Sequence, residues 1–225
     1  MNLLGNESEA YRKLREELRE AEIALKLQRE AVAELRRRLP LDTPVEVEHR
    51  FREGPKDLAA GDAPLRDLNL AGLFRDPAKP LVLVHFMYGK KQSEPCPMCT
   101  MWADGYDGAL PHLQQHVNFA VCIAGELAPF RAYARERGWR NLRVVQSQDG
   151  FKRELGFEAD DGVQMPGVSV FTLGGDGRPR HFYSGGALQA EGQFRGMDLL
   201  SPVWNFLDLT PAGRGDWFPQ RRYPA

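Results

Sequence analysis

Apolar residues recur at alternating steps of three and four along the first forty residues. The stripe consists of Tyr11, Leu14, Leu18, Ala21, Leu25, Gln28, Val32, Leu35 and Leu39. This spacing predicts an amphipathic helix over residues 8–39, with Asn6 as a candidate N-cap and Pro40 as its end. An apolar stripe of about four heptads must be covered by the chain's own domain or by a second copy. Both kinds of covering are consistent with the sequence, and a homodimer through this helix is the preferred interpretation.

Beyond residue 40, short apolar runs alternate with amphipathic segments. Strands are predicted at residues 45–51, 65–68, 80–86, 117–123, 142–145, 168–172 and 180–183, and helical segments at 100–115, 126–137, 150–155 and 197–207. The runs at 80–86 and 117–123 are almost entirely apolar, which is typical of parallel strands buried on both faces. The pattern predicts a helical arm at 1–40, an α/β domain at 41–210 and an irregular C-terminal tail at 211–225.

The motif Cys96-Pro97-Met98-Cys99 stands between the buried strand at 80–86 and the helix at 100–115. Backbone N–H groups at a helix N-terminus stabilise a thiolate, so the pKa of Cys96 is expected to fall toward neutrality. Cys99, one turn further on, is placed to attack a mixed disulfide formed at Cys96. The two thiols therefore predict a redox motif.

Composition narrows the class of protein. The chain has 225 residues, a net charge of −1 and three cysteines. Such a charge indicates neither nucleic acid nor an anionic membrane as a partner, and three cysteines are too few for a disulfide-stapled secreted domain. The first residues lack the pattern of a signal peptide, and no apolar run is long enough to span a membrane. We therefore expect a cytoplasmic protein in which the thiol pair is reduced at rest.

Four stretches together resemble the bacterial thioredoxin-like family catalogued as domain of unknown function 899. They are His85-Phe86-Met87-Tyr88-Gly89, the Cys96–Cys99 motif, Trp102-Ala103-Asp104 and Leu207-Asp208-Leu209-Thr210-Pro211. The resemblance implies a thioredoxin-like central mixed sheet flanked by helices, preceded by the long N-terminal helix. It also implies that Met165-Pro166 carries the cis-proline that faces the cysteines in such folds. No established reaction comes with the family.

A thiol-disulfide oxidoreductase is the function that these residues favour. Cys96 would attack, Cys99 would resolve, and Pro97 would favour the helix start while removing one backbone donor. Pro166 would face the pair. Trp102 would flank the cysteines, where packing is the favoured role and shaping a substrate groove is the alternative. No cofactor is expected, and the partners would be an unidentified thiol or disulfide substrate and a reductant.

A peroxiredoxin-like peroxidase is an alternative. In register with the peroxiredoxin motif, Gly89 stands at the proline position, Ser93 at the hydroxyl position and Cys96 at the peroxidatic position. Pro166 stands where peroxiredoxins carry the arginine that polarises the peroxide. The loss of that charge predicts poor peroxidase activity.

Two further alternatives involve no redox cycle. Cys96, Cys99, His112 and His116 match the ligand spacing of a Cys2His2 zinc finger. Ala103 replaces the aromatic residue of a classical finger and Pro111 interrupts its helix, so no metal is expected. A thioredoxin-like domain can also serve as a non-catalytic binding protein, because fold does not determine function.

Overall fold

The computed structural model describes residues 6–46, 48–148, 150–187, 195–213 and 215–223. The chain divides into two compact units, Met1–Pro40 and Leu41–Ala225. Within the described residues, no helix is both long enough and apolar enough to cross a membrane.

The first unit is a single helix, α1 (Glu9–Arg37), which agrees with the predicted bounds to within two residues. Its N-cap is Ser8, whose hydroxyl accepts the N–H of Tyr11 at 3.1 Å, so the expectation of Asn6 as the cap was wrong. A serine oxygen at this position satisfies one of the free N–H groups of the first turn. No residue of α1 is buried.

The second unit is built on one sheet of seven strands in the order β2-β1-β5-β4-β3-β6-β7. The strands are β1 (Arg50–Glu53), β2 (Arg66–Asn69), β3 (Leu81–His85), β4 (Asn118–Ile123), β5 (Val144–Ser147), β6 (Gly167–Leu173) and β7 (Pro179–Gly186). The helices are α2 (Pro97–Leu113), α3 (Leu127–Arg137), α4 (Phe151–Glu154) and α5 (Val203–Leu207), with 3-10 turns at Leu58–Ala60, Ala71–Leu73 and Arg195–Leu200.

The topology confirms the predicted fold. Strands β3, β4 and β5 are parallel and are joined by α2 and α3, whereas β6 runs antiparallel to β3 and forms a hairpin with β7. This combination of a β-α-β unit with a β-hairpin in one mixed sheet is the thioredoxin-like fold. Its central strands are apolar because helices or loops cover both faces of the sheet.

Each face of the sheet carries its own apolar cluster. One cluster surrounds Phe86, Trp102 and Phe130 and includes Cys99. The other surrounds Phe51, Leu83, Phe151 and Phe171 and includes Cys122. Strand β3 contributes to both clusters, so the loop that follows it begins at a buried strand of the sheet.

Several predicted bounds differ from the observed ones. The first strand begins at Arg50 rather than at residue 45, and Val47, within the predicted strand, lies outside the described residues. Helix α2 begins at Pro97, three residues before the predicted start, because a proline at the first helical position needs no N–H partner. The segment 197–207 is a 3-10 turn followed by α5, separated around Pro202, which has no N–H to continue a helix.

Candidate redox site

The loop after β3 is fixed by backbone hydrogen bonds to the end of β4. The Phe86 N–H donates to the Cys122 carbonyl at 2.9 Å, and the Tyr88 carbonyl accepts the N–H groups of Ala124 and Gly125 at 3.2 and 3.0 Å. The backbone leading to the cysteines is therefore held against the centre of the sheet.

Gly89 is required by this close approach. Its φ is +104°, and a Cβ there would lie 2.1 Å from the Gly125 nitrogen. Only glycine combines a positive φ with that contact. Proline, which peroxiredoxins carry at this position of the motif, has φ fixed near −65°. The loop thus has a backbone that the peroxiredoxin residue could not adopt.

Cys96 is the N-cap of α2, with extended backbone angles. Its N–H donates to the Met87 carbonyl at 3.2 Å, and its carbonyl accepts the N–H and the hydroxyl of Thr100, each at 2.9 Å. Pro97 follows as the first helical residue. The side chain of Cys96 therefore lies at the end of the helix where unpaired N–H groups concentrate.

The pKa of Cys96 is lowered from 9.0 to about 7. A hydrogen bond from the Cys99 thiol has the largest effect, and burial acts in the opposite direction. Hydrogen bonds from the backbone N–H groups of Cys99 and Met98 lower the pKa further. A substantial fraction of Cys96 is therefore thiolate, the nucleophilic form, near neutral pH.

The Cys99 thiol has the opposite character. It is 3 % exposed, and burial raises its pKa well above 9.0, with its hydrogen bond to Cys96 adding to the rise. A hydrogen bond from the Met87 N–H and the positive charge of Lys152 counteract that rise. All three cysteines are free thiols. An accessible, acidic thiol and a shielded, weakly acidic one are the properties expected of attacking and resolving cysteines.

Lys152 is a buried cation that interacts with the Cys99 thiol. Its side chain lies in α4 and is 1 % exposed, and its ammonium donates to the Phe86 carbonyl at 2.9 Å. Burial lowers its pKa from 10.5 to about 8, against the attraction of the Cys122 and Cys99 thiols. Nothing in the local pattern of residues 150–155 distinguished this lysine from a surface one.

His85 links the end of β3 to the hairpin through a chain of side-chain hydrogen bonds. Its Nε2 lies 2.9 Å from the Ser169 hydroxyl, which lies 2.7 Å from the Ser184 hydroxyl, which lies 2.8 Å from His181 Nε2. The His85 ring stacks on Phe157 with centroids 4.0 Å apart. Burial holds the pKa of His85 well below its usual range, so His85 is a neutral member of the core.

Pro166 does not carry the expected cis peptide bond. Among the described residues the only cis bond is Ala63–Pro64, so Met165–Pro166 is trans. The Met165 N–H donates to the Phe157 carbonyl at 2.9 Å, and the Pro166 carbonyl accepts from the Ala187 N–H at 3.3 Å. These bonds hold the segment extended as it enters β6, which suits the intrinsically favoured trans isomer.

Of the three supporting residues predicted from the sequence, Pro97 begins α2, and the other two lie in different surroundings. Ser93 is exposed in the loop before Cys96. Trp102 is 1 % exposed and packs in the core cluster around Phe86, so it lines no open groove. Trp102 thus has the packing role that was favoured for it over the alternative of a groove residue.

The zinc-finger spacing does not produce a convergent site. Within the described ranges, no group of three or more His, Cys, Asp or Glu side chains is placed to hold a metal ion. His112, in the last turn of α2, and His116, three residues beyond its end, are exposed. His112 lies more than three helical turns along α2 from the cysteines. The ligand spacing of a zinc finger is therefore present in the sequence, but α2 separates the cysteines at its start from His112 at its end.

A cleft of about 580 Å³ lies beside Pro97. Its walls come from the loop before Cys96, from α3 and from the C-terminal segment, and its lining residues are Glu94, Pro97, Tyr133, Glu136, Pro219, Gln220, Arg221 and Arg222. Arg221 pairs with Glu94, and Arg222 pairs with Glu136. The cleft thus presents charges of both signs beside Pro97, the residue that follows Cys96.

The C-terminal wall of the cleft is anchored by Asp104 of α2. This carboxylate accepts from Arg137 at 2.5 Å and from the Trp139 indole at 2.7 Å. Arg137 in turn donates to the Arg221 carbonyl at 2.7 Å. The sequence marked residues 211–225 as an irregular tail, and only this long-range network shows that part of the tail borders the site.

Solved structures similar to this chain are peroxiredoxins and thioredoxins. They include the mitochondrial 2-Cys peroxiredoxin from Plasmodium falciparum, with a TM-score of 0.43, 11% identity and coverage of 76% of this chain and 95% of that one. Peroxiredoxin Q from Xanthomonas campestris, as a cysteine-to-serine mutant, has a TM-score of 0.45, 10% identity and coverage of 75% and 95%. The exposed lipoprotein thioredoxin Etrx1 from Streptococcus pneumoniae has a TM-score of 0.40, 11% identity and coverage of 67% and 97%.

Family-level similarity is more extensive than these pairwise likenesses. No curated protein matches the chain. One family model, described as a bacterial protein of unknown function and named DUF899, matches residues 3–223. With its thioredoxin-like sheet and its pair of thiols at the start of α2, this chain belongs to the DUF899 family.

Proposed function

We propose that this protein is a dithiol–disulfide oxidoreductase that uses Cys96 and Cys99. The observation that carries the proposal is the contrast between the two thiols in the first turn of α2. Cys96 is partly exposed with a pKa of about 7, whereas Cys99 is buried with a raised pKa. The first is suited to attack a partner, and the second to act only within the protein.

The proposed cycle transfers two electrons from the protein to a substrate disulfide. The Cys96 thiolate attacks one substrate sulfur, which forms a mixed disulfide and releases the other substrate sulfur as a thiolate. Cys99 then loses its proton to water and attacks the Cys96 sulfur. This second exchange closes the Cys96–Cys99 disulfide and releases the remaining substrate sulfur as a thiolate. A thiol reductant reopens the protein disulfide, and the same steps run backward for oxidation.

The cleft beside Pro97 supports a peptide-like substrate. Its volume of about 580 Å³ falls within the range of ligand pockets. Arg221 and Arg222 on one side and Glu94 and Glu136 on the other offer partners for both carboxylates and ammonium groups. We propose that a zwitterionic thiol or a disulfide-bearing peptide binds there with its sulfur toward Cys96.

Insulin reduction by dithiothreitol tests the proposal. Wild-type protein is expected to accelerate precipitation of the reduced insulin B chain, and Cys96→Ser is expected to abolish the acceleration. Cys99→Ser should trap a mixed disulfide at Cys96 that is visible by mass spectrometry. Cys122→Ala is the matched control, because Cys122 is a buried thiol outside the helix turn. No acceleration by wild type would support a non-catalytic binding protein instead. Equal loss of activity in all three variants would contradict the assigned roles, because the substitutions would then act through folding and not through exchange at Cys96 and Cys99.

A peroxiredoxin-like peroxidase is a second candidate, and the lowered pKa of Cys96 favours it. A peroxidase would need another arginine to supply the charge that is missing at Pro166. Arg180 is already paired with Asp176 at the hairpin, and the side chain of Arg195 lies outside the described residues. With Pro166 at the arginine position, we expect slow oxidation by hydrogen peroxide. Stopped-flow measurement on the reduced protein decides between the two, since fast, saturating oxidation dependent on Cys96 would favour the peroxidase.

We further propose a reducing compartment such as the cytoplasm, a small thiol or thiol protein as the reductant, and a homodimer through α1. The first point is supported by the cysteine count, since three cysteines in 225 residues are too few for a disulfide-stapled secreted domain. The dimer is supported by the apolar stripe of α1, in which Leu14 and Leu25 are exposed, because such a stripe gains free energy when a partner covers it.

A further inference from the structure

We propose that Lys152 is a positioning residue for the resolving step, in which its ammonium serves as the counter-charge for the Cys99 thiolate. This inference rests on the proposed dithiol–disulfide cycle. It assigns a role to a buried cation that the exchange chemistry of the two cysteines does not itself require.

The first argument is the cost of burying this lysine. A lysine side chain that is 1 % exposed loses nearly all hydration of its charge. The one hydrogen bond found for it among the described residues is to the Phe86 carbonyl. A single neutral acceptor compensates only part of the free energy that is lost when an ammonium group is buried. The charge of Lys152 therefore stabilises any anion that forms nearby.

The second argument concerns which anion that is. Glu158, the carboxylate that interacts with Lys152, already accepts from Lys90, Arg153 and Gln164. The other attractive groups are the thiols of Cys122 in β4 and Cys99 in α2, while Lys90 and the neighbouring His85 of β3 interact unfavourably with the charge. Cys122 has no partner sulfur in the helix turn, which leaves Cys99 as the group that must ionise during the cycle.

The third argument is that Lys152 and the cysteines share one backbone scaffold. Its ammonium is bonded to the Phe86 carbonyl, and the next residue, Met87, accepts from the Cys96 N–H and donates to Cys99. The lysine and both thiols are therefore held at fixed positions relative to the end of β3. A counter-charge held in this way needs no rearrangement when the thiolate forms.

Lys152 does not enter the bonding changes of the cycle. The Cys99 proton leaves to water, the Cys99 sulfur bonds to the Cys96 sulfur, and the substrate thiolate departs. The ammonium stabilises the thiolate before attack and so raises the population that is able to react. A change of one unit in the pKa of Cys99 corresponds to about a tenfold change in that population at neutral pH.

The probe is 5,5′-dithiobis(2-nitrobenzoate), which releases one coloured thiolate when Cys96 attacks and a second when Cys99 resolves. In stopped flow near pH 7, Lys152→Met is expected to leave the first release within about twofold of wild type. The second release should slow by about tenfold or more. The difference should shrink as the pH rises above about 8, because Lys152 then loses the proton that carries its charge. At still higher pH, Cys99 ionises without help. Lys91→Met, in the exposed loop before Cys96, is the matched control and should change neither release.

Lys152→Gln separates the charge from the hydrogen bond, since glutamine can still donate to the Phe86 carbonyl. Both neutral variants should slow the second release to a similar degree. A normal second release in Lys152→Gln would mean that Lys152 acts only through its hydrogen bond, and unchanged kinetics in both variants would equally overturn the inference. Absence of any second release in wild type would instead contradict the proposed function. If Lys152→Met does not fold, the Gln variant alone decides.

Discussion

The buried charge of Lys152 makes folding stability depend on pH in a way that can be calculated. Its pKa falls from 10.5 to about 8 on folding because of burial. Since one pKa unit corresponds to about 1.4 kcal/mol, the charged lysine costs the folded state about 3 kcal/mol. The side chain is only 1 % exposed, so solvent screening does not reduce this figure substantially.

The sign follows from proton counting. Between about pH 8 and 10.5 the unfolded chain keeps the proton on Lys152 while the folded chain has lost it. Stability therefore rises with pH across this window and is lost as the pH falls through about 8. In Lys152→Met this contribution is absent. We expect wild type to gain about 2 to 3 kcal/mol relative to the variant between about pH 7 and pH 10.

Urea unfolding at several pH values, under reducing conditions, measures this difference. The loss of the Phe86 hydrogen bond in Lys152→Met shifts the variant by a constant amount, so only the pH-dependent part is diagnostic. Buried tyrosines and thiols titrate in the same window but are present in both proteins. Repeating the comparison in a background that carries both Cys99→Ala and Cys122→Ala removes the two thiols that interact with Lys152. Parallel stability curves for wild type and Lys152→Met would refute the assignment of a buried, destabilised charge.

Three further predictions concern the scaffold. Gly89→Ala should destabilise the fold by several kcal/mol in urea unfolding, because the added Cβ would lie 2.1 Å from the Gly125 nitrogen. Gly105→Ala is the control and should be tolerated, because a Cβ at that position has no neighbouring atom within 4 Å. Asp107→Ala should cost about 2 to 4 kcal/mol, since Asp107 Oδ1 accepts three backbone N–H groups at 2.7–3.0 Å, whereas Asp107→Asn, which keeps that acceptor, should cost less. Deletion of residues 1–40 should reduce the number of chains per particle from two to one by light scattering; an unchanged number of chains would show that α1 is not a dimer arm.

The sequence predicted the elements whose signals are local. The apolar runs at β3 and β4 showed double burial directly, and the glycine-rich turn before β7 showed the hairpin. The cysteine motif was placed correctly because a buried strand before it and a helix after it are both visible over a few residues. Pro97 even marks the helix start, although the helix was predicted three residues late.

Features that depend on long-range packing were missed, left open or wrong. Lys152 stands beside Arg153 and Glu154 in a short, charged turn, and only packing against Phe86, 66 residues earlier in the chain, buries it. The sequence favoured packing for Trp102 and left a substrate groove as the alternative, and only the packing of α2 shows that its side chain belongs to the core. The cis isomer expected at Pro166 came from resemblance alone, and the hydrogen bonds around it favour an extended trans segment.

The central claim is that Cys96 and Cys99 interconvert between two thiols and one disulfide. The most direct measurement is a redox titration in glutathione buffers, with acid quenching, alkylation and peptide mass spectrometry. We predict a single two-electron transition in which a Cys96–Cys99 disulfide replaces both thiols while Cys122 stays reduced. A pair that remains alkylatable across the whole range, or Cys96 that accumulates only as a glutathione adduct without linking to Cys99, would contradict the account.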